Sequence, residues 1–395
     1  MSNLLSKASI LLTPTATSDG KLHNIKPNTT TGDFTFTRGT AATRVNSNGL
    51  IESVASGLPR IDFTSGTGQV LLEPASTNLD TQSGDLSSVW STNTGATATV
   101  ETGLTPFGVS GNIKRLSGAT NSPPNWTDGA DSLKKQYAVT ATDPASFFTF
   151  SVYVKSAGST TVNIQLRDNT LGPSVTTGAI SLTSDWQRVT ISKQFGTTTT
   201  RVGVTIAGTD GDILLSGAQF ENSSFATSLI ETSGSPATRN KDEANSSGDS
   251  TLINSTEGVL YGELASFTNS GESERNISLS NSTVNNTAEI GYSSGTNLAR
   301  FRLRANNVTI LAQNSAVSDT TQFIKIAIKY KSGEIKCFVN GSQVISDTSS
   351  FTFSESLSEL AFDRGNGSNE FNGKVKCIAV FKEALTDAQL ISLTS

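Results

Sequence analysis

Residues 57–79 read GLPRIDFTSGTGQVLLEPASTNL, and few polar stretches of this length restrict the backbone as tightly. Pro59 fixes its own φ and pushes Leu58 towards extended conformation, Gly66 and Gly68 allow a turn, and Pro74 closes the apolar run at 70–72. Two short strands around a glycine turn meet these constraints. The segment reads as a rigid connector, not as a catalytic loop.

At 395 residues the chain is too long for one ordinary domain, and modules of conventional size would each bury a core. Hydrophobic residues make up 35% and charged residues 16%, so Ser, Thr, Asn and 34 Gly fill the difference. That composition suits many short strands joined by tight turns. A net charge of only −5 and recurrent period-two alternation argue against disorder outside linkers.

Alternation is clearest from 147 onwards. Phe148, Phe150, Val152 and Val154 alternate with Thr149, Ser151, Tyr153 and Lys155, and the pattern returns at Val162, Ile164 and Leu166, at Val189 and Ile191, at Val202, Val204 and Ile206, and at Ile213 and Leu215. Turn signals at sandwich spacing separate these runs, so residues 81–231 are expected to form an antiparallel β-sandwich with Trp90 and Trp186 in its core. Residues 232–255, rich in Ser, Asn and Gly, read as a linker. Within 256–395, Ile324, Ile326, Ile328 and Tyr330 share one strand face, residues 331–334 turn the chain, and Ile335, Cys337 and Val339 return to the same core. Asn340-Gly341 supplies a two-residue turn that tolerates positive φ. After a last strand at 375–381, Thr386 is placed to cap a short helix with Asp387 in its first turn. Residues 1–80 show scattered apolar anchors (Leu11, Leu12, Phe34, Phe36, Leu50, Ile51, Ile61 and Phe63) and are expected to be an extended arm that neighbouring chains cover.

Three phrases carry a family resemblance. FTFTRGTAATRVNSNGLIE at 34–52, together with 57–79, resembles the N-terminal part of tail-fibre and virion-surface proteins of tailed bacteriophages. GAQFENSSFATSLIETSGSPATR at 217–239 is similar to the strand and exit arm that close a carbohydrate-binding-module-like sandwich in those proteins, and KSGEIKCFVNGSQV and FNGKVKCIAVFKEALTDAQL are similar to late strands of concanavalin-like (laminin-G-like) lectin domains. The resemblance implies an all-β chain: an attachment and trimerisation arm at 1–80, then jelly-roll sandwiches at 81–231 and 256–395. It further implies a homotrimer, assembled in the host cytoplasm and displayed on the virion surface, joined to other virion proteins through residues 1–80. Its expected work is non-enzymatic adhesion to a host cell-surface glycan. A structural head fibre, capsid decoration or tail adaptor protein is the alternative, and a glycan depolymerase the third.

The chain has one histidine, His23, so a Ser-His-Asp or Cys-His apparatus would depend on that residue, and metal clusters built from several histidines are excluded. His23 reads as structural or incidental. The E-x-D-x-E strand motif of concanavalin-like glucanases does not occur, and Asp242 and Glu243, in the expected linker, read as solvated. No catalytic residue is assigned.

Arg300, Arg302 and Arg304 alternate with Phe301, Leu303 and Ala305, which sends three guanidinium groups from one strand face. Such forks match carboxylates, phosphates or sulfates, making these residues glycan-binding candidates; a solvated sheet face or an inter-subunit ion pair is the alternative. Trp126, in the loop NSPPNWTDGADS, is a second candidate through stacking on a sugar ring, or else anchors its own loop. Asp363, Asn366, Asn369 and Glu370 in FDRGNGSNEFNG offer a hard oxygen set suited to Ca²⁺, which the lectin resemblance also implies, against the alternative of a simple turn. No other cofactor is expected. Cys337 and Cys377 read as buried thiols, with a cross-strand disulfide as the alternative. There is no run of about 18 apolar residues, and residues 4–12 are interrupted by Ser6, Lys7 and Ser9, so neither membrane insertion nor a signal peptide is expected. The acidic balance disfavours nucleic acid.

Overall fold

A computed structural model describes residues 4–87, 90–93, 95–119, 132–139, 146–168, 174–196, 199–269 and 273–395. Among them the chain is built of antiparallel strands with one α-helix, Asp387–Thr394. Neither of its two compact units is continuous in sequence. One gathers residues 1–41, 54–74 and 241–395; the other gathers 42–53 and 75–240.

The second unit is the sandwich that the alternation at 147–215 predicts. One sheet orders Thr97–Leu104, Ser110–Ser117, Ile213–Glu221, Phe147–Ser156 and Gln187–Gln194; the other is built around Leu133–Ala138, Arg201–Gly208 and Thr161–Asp168. The alternating apolar residues named above all lie in the core between them. Trp90 joins that core, its indole N–H donating to Asp80, which also accepts from Tyr137 and Lys135. Trp186 does not. It is half-buried, donates to the Leu104 carbonyl and lies under the Lys155 ammonium, because it precedes the strand in a turn where no sheet face covers it.

The first unit packs two sheets around a larger core. An eight-stranded sheet places Glu257–Ala265 between Ile324–Lys331 and Gly373–Phe381, and continues from the latter into Gln69–Leu72 and Arg60–Asp62. A five-stranded sheet orders Val308–Ala316, Leu298–Ala305, Thr287–Tyr292, Arg275–Ser280 and Glu359–Ala361. The expected Ile324/Ile335 hairpin and its Asn340-Gly341 turn are both present, the latter with φ of 44° and 80°. The terminal helix begins at Thr386 in a capping box with Gln389 and lays Leu390 and Leu393 on the sheet's other side, against Tyr261, Phe338 and Phe381. Both cysteines are free and buried. Cys337 faces the inter-sheet core and Cys377 the helix side, with two strands between theirs in the sheet order, so they do not meet. Burial pushes the Cys377 thiol up to about 12.

Residues 1–80 differ from the expected arm. Ile10–Leu12 pairs with Gly373–Phe381, and Phe34–Thr37 pairs with Glu243–Asn245, so the supposed linker at 232–255 also carries strand. Residues 57–79 do contain the two short strands around a turn, Arg60–Asp62 and Gln69–Leu72, with Gly66 at φ 79°. They lengthen the eight-stranded sheet through pairing of residues 70–72 with 373–375. Strands this short have no stability of their own, and it is the sheet edge that orders them.

Four residues from three separate stretches fix this arrangement. Asp242 accepts from Arg38 Nη1 at 3.0 Å, from Arg60 Nη2 and from the Glu73 backbone N–H at 2.8 Å, while Arg60 Nη1 meets Glu73 Oε2 at 2.6 Å. All four side chains are essentially without solvent exposure. Asp242 is thus a buried hub and not a solvated linker residue, since two guanidinium groups taken out of water each require an anionic partner.

Candidate functional site

The three arginines of Leu298–Ala305 lie on the face of the five-stranded sheet turned away from the core, because Phe301, Leu303 and Ala305 take the inward positions. Register extends that face into rows. Arg302 stands opposite Glu289, which stands opposite Ser278; Arg300 opposite Gly291, then Asn276; Arg304 opposite Thr287, then Ser280. The loop after Glu359–Ala361 folds back over the same face. The Asn276 N–H donates to the Asn369 carbonyl at 2.9 Å, Asn276 and Glu370 form a parallel bridge, and a Cβ on Gly365 would fall 2.7 Å from that of Ser280.

Charge pairing on this face is incomplete. Arg300 reaches Glu274 at 3.2 Å and Asn314 Oδ1 at 3.1 Å, Arg304 bonds Asn307, and Arg302 Nε stands 3.9 Å from Glu289, beyond hydrogen-bond distance. Glu289 is fully buried, accepts from Thr287 Oγ1 at 2.6 Å through one oxygen, and has no hydrogen-bond partner for the other. Burial raises its carboxyl to about 7, against the opposing pull of the Thr287 hydroxyl and of the Arg364 and Arg300 charges. Ser278 Oγ and both side-chain amide atoms of Asn276 are likewise buried and unpartnered. An unpartnered Nε recurs on arginines elsewhere, Arg188 in the other unit among them, so the mark of this face is Glu289, Ser278 and Asn276. Four guanidinium groups, counting Arg364, here confront three carboxyls, Glu289, Glu274 and Glu359, the last opposite Ser280 in the Arg304 row and already bound to Ser246 and Ser282.

The other expected residues are placed differently. Asp363 is buried and its carboxylate caps its own loop at the Gly365 N–H; Asn366 accepts from Ser368; Asn369 donates to Glu274; and Glu370 pairs with the Lys241 ammonium. The oxygens of Asp363, Asn366 and Glu370 are thus turned to separate partners while Asn369 engages Glu274 through its amide nitrogen, and among the described residues no group of three or more His, Cys, Asp or Glu is arranged to hold a metal. Trp126 lies outside the described residues. Glu289, Ser278, Asn276 and Arg364 were not picked out from the sequence. The signal was present in RNISLS and TAEIGY, whose polar positions alternate in the period that marks ARFRLRAN.

Residues 266–391 match the family model described as the Concanavalin A-like lectin/glucanases superfamily, a segment that contains every residue of this face. The C-terminal sandwich is lectin-like in that sense. No curated protein is similar to the chain in sequence. Among solved structures, a sialidase carbohydrate-binding module from Ruminococcus gnavus, the IT-sialidase CBM40 bound to alpha2,3 sialyllactose, is 13% identical over 38% of this chain and 92% of that one, with a TM-score of 0.32. Domain 4 of AbnA, a GH43 extracellular arabinanase from Geobacillus stearothermophilus, in complex with arabinotriose, is 14% identical over 39% and 73%, with a TM-score of 0.30. Likeness at that level assigns no function.

Proposed function

We propose that the chain is a virion-surface fibre or spike protein of a tailed bacteriophage that adheres to host glycans, with the outer face of the five-stranded sheet as the contact. The observation that carries this is the collection of unpartnered buried polar atoms of Asn276, Ser278 and Glu289 beneath a surplus of guanidinium groups. A hydroxyl-rich anion satisfies both: its carboxylate or sulfate pairs with arginine forks, and its hydroxyls reach the inner atoms as Arg302 and Arg364 swing outward. The match of 266–391 to a lectin and glucanase family supports binding of carbohydrate. Weak contacts of this kind gain from repetition in a homotrimer. Within residues 1–80, Ile25 and Leu50 stay exposed and are the apolar contacts offered to a virion partner.

Calorimetry of the full chain against an acidic polysaccharide and a neutral glucan tests this reading. Binding to the acidic polymer alone, weakened in Arg300→Ala and Arg304→Ala, is the expected result. Equal binding to both polymers, or to neither, would sink it.

A structural decoration or adaptor protein is the second reading. It is favoured by Leu104 and Val109, 61% and 60% exposed at the end of the hairpin formed by Thr97–Leu104 and Ser110–Ser117, an apolar tip suited to protein contact.

A further inference from the structure

Thr17–Ser18, Lys21–Leu22 and Phe34–Thr37 form a small antiparallel meander. Its register sets Ser18 opposite Lys21 and Lys21 opposite Thr35, while His23 and Asp33 extend the next row. Ser18, Lys21, His23, Asp33 and Thr35 therefore share one face. On it, Ser18 Oγ stands 2.7 Å from His23 Nε2, and His23 Nδ1 stands 2.8 Å from Asp33 Oδ2. The other Asp33 oxygen accepts the Asn24 backbone N–H at 2.9 Å, which fixes the carboxylate.

Exposure is graded along this line: the Asp33 side chain is 8% exposed, His23 34%, and Ser18 lies at the surface. A carboxylate only accepts, so the imidazole proton sits on Nδ1, an assignment made from the partners, and Nε2 is left to accept from the serine hydroxyl. A hydrogen bond on an exposed hydroxyl contributes little to stability, and its consequence is chemical: an oriented base on a serine oxygen. Opposite Ser18, Lys21 holds an ammonium on the same face, 3.3 Å from Thr35 Oγ1, where it would meet negative charge developing on an attacked carbonyl.

We propose that Ser18, His23 and Asp33 form a nucleophilic relay that hydrolyses short-chain acyl esters. Ser18 Oγ attacks the ester carbonyl carbon as His23 Nε2 takes the hydroxyl proton. The bond to the alcohol oxygen then breaks, and that oxygen leaves with the proton from His23. Water, deprotonated by the same nitrogen, attacks the acyl-serine; the carboxylic acid departs and Ser18 recovers its hydrogen. Asp33 holds the ring so that Nε2 faces the serine oxygen. With Asp19 and Thr35 also exposed beside Ser18, the face is open, so it suits acetyl-sized groups displayed on an accessible alcohol. This activity is independent of glycan binding at the arginine face.

The full chain is treated with a fluorophosphonate probe and the adduct located by mass spectrometry, alongside turnover of p-nitrophenyl acetate. A single adduct on Ser18 is expected, with turnover reduced about 100-fold or more in Ser18→Ala and Asp33→Asn. Ser18 is exposed, so Ser18→Ala should unfold at the temperature of the parent chain and isolates chemistry from folding. No adduct, an adduct elsewhere, or undiminished turnover in Ser18→Ala would overturn the proposal.

Discussion

Arg38 and Arg60 on one side, and Arg300, Arg302 and Arg304 on the other, put the same guanidinium group to different ends within one unit of the protein. The first pair is sealed from solvent and meets carboxylates at bonding distance, as at Arg60 and Glu73, 2.6 Å apart. In the second set Arg302 lies 3.9 Å from Glu289, whose second oxygen has no partner. A buried charge matched in full specifies a fold, because removing either partner strands the other. Charge left unmatched beside buried polar atoms lowers stability, and it is on that imbalance that the proposed anion contact rests.

The contrast can be broken at several points. The largest effect is expected for Asp242→Ala, which strands Arg38 and Arg60 and should cost about 3–5 kcal/mol, read as a fall in the urea midpoint of unfolding. If that loss is under about 1 kcal/mol, the cluster is not the clamp its geometry indicates.

Next comes Glu289. Its carboxyl lies at about 7 in the folded chain against an ordinary value near 4.3, so the folded state holds its proton more tightly than the unfolded one. The stability this contributes is fully present below about pH 4 and is lost as pH rises to 7, a decline on the order of 3 kcal/mol. Glu289→Gln should remove that part of the slope in melts run from pH 4 to 8; an unchanged slope would show that a cation already matches the carboxylate.

Smaller again, Arg302→Ala should weaken binding of an acidic polysaccharide about tenfold, or about 1.4 kcal/mol, while unfolding shifts by less than about 1 kcal/mol. A stability loss as large as that of Asp242→Ala would erase the distinction between the two sets. The smallest effect is Thr386→Ala. Loss of its side-chain bond to the Gln389 N–H should cost about 1 kcal/mol in thermal melts and scales an ordinary polar contact against both clusters.

Long alternating runs were legible in the sequence because period two places Phe148, Phe150, Val152 and Val154 on one face whatever their neighbours are. Capping at Thr386 and the Asn340-Gly341 turn were legible because their chemistry is local. Outside 57–79, where proline and glycine mark the turn, strands of two to four residues were not. Phe34–Thr37 carries no period long enough to read, and its partner Glu243–Asn245 lies some two hundred residues away. The arginine face was half visible: alternation placed Arg300, Arg302 and Arg304 together, but only register across strands sets Glu289 and Ser278 beside them. His23 gained its partners in the same way, since its distances to Ser18 and Asp33 follow from a meander within residues read as an arm.

The pairing of Gly373–Phe381 with both Ile10–Leu12 and Gln69–Leu72 has a consequence for biosynthesis. Emerging from the ribosome, those early strands wait for a partner made about 300 residues later for Gln69–Leu72 and about 370 later for Ile10–Leu12, at roughly 5–20 residues per second an interval of about 15–75 seconds. The unit formed by 42–53 and 75–240 is complete in the meantime and can fold first. Ile10, Leu11 and Leu12 spend that interval as an unpaired apolar edge, the point at which a nascent chain is most open to association with its neighbours and to capture by chaperones.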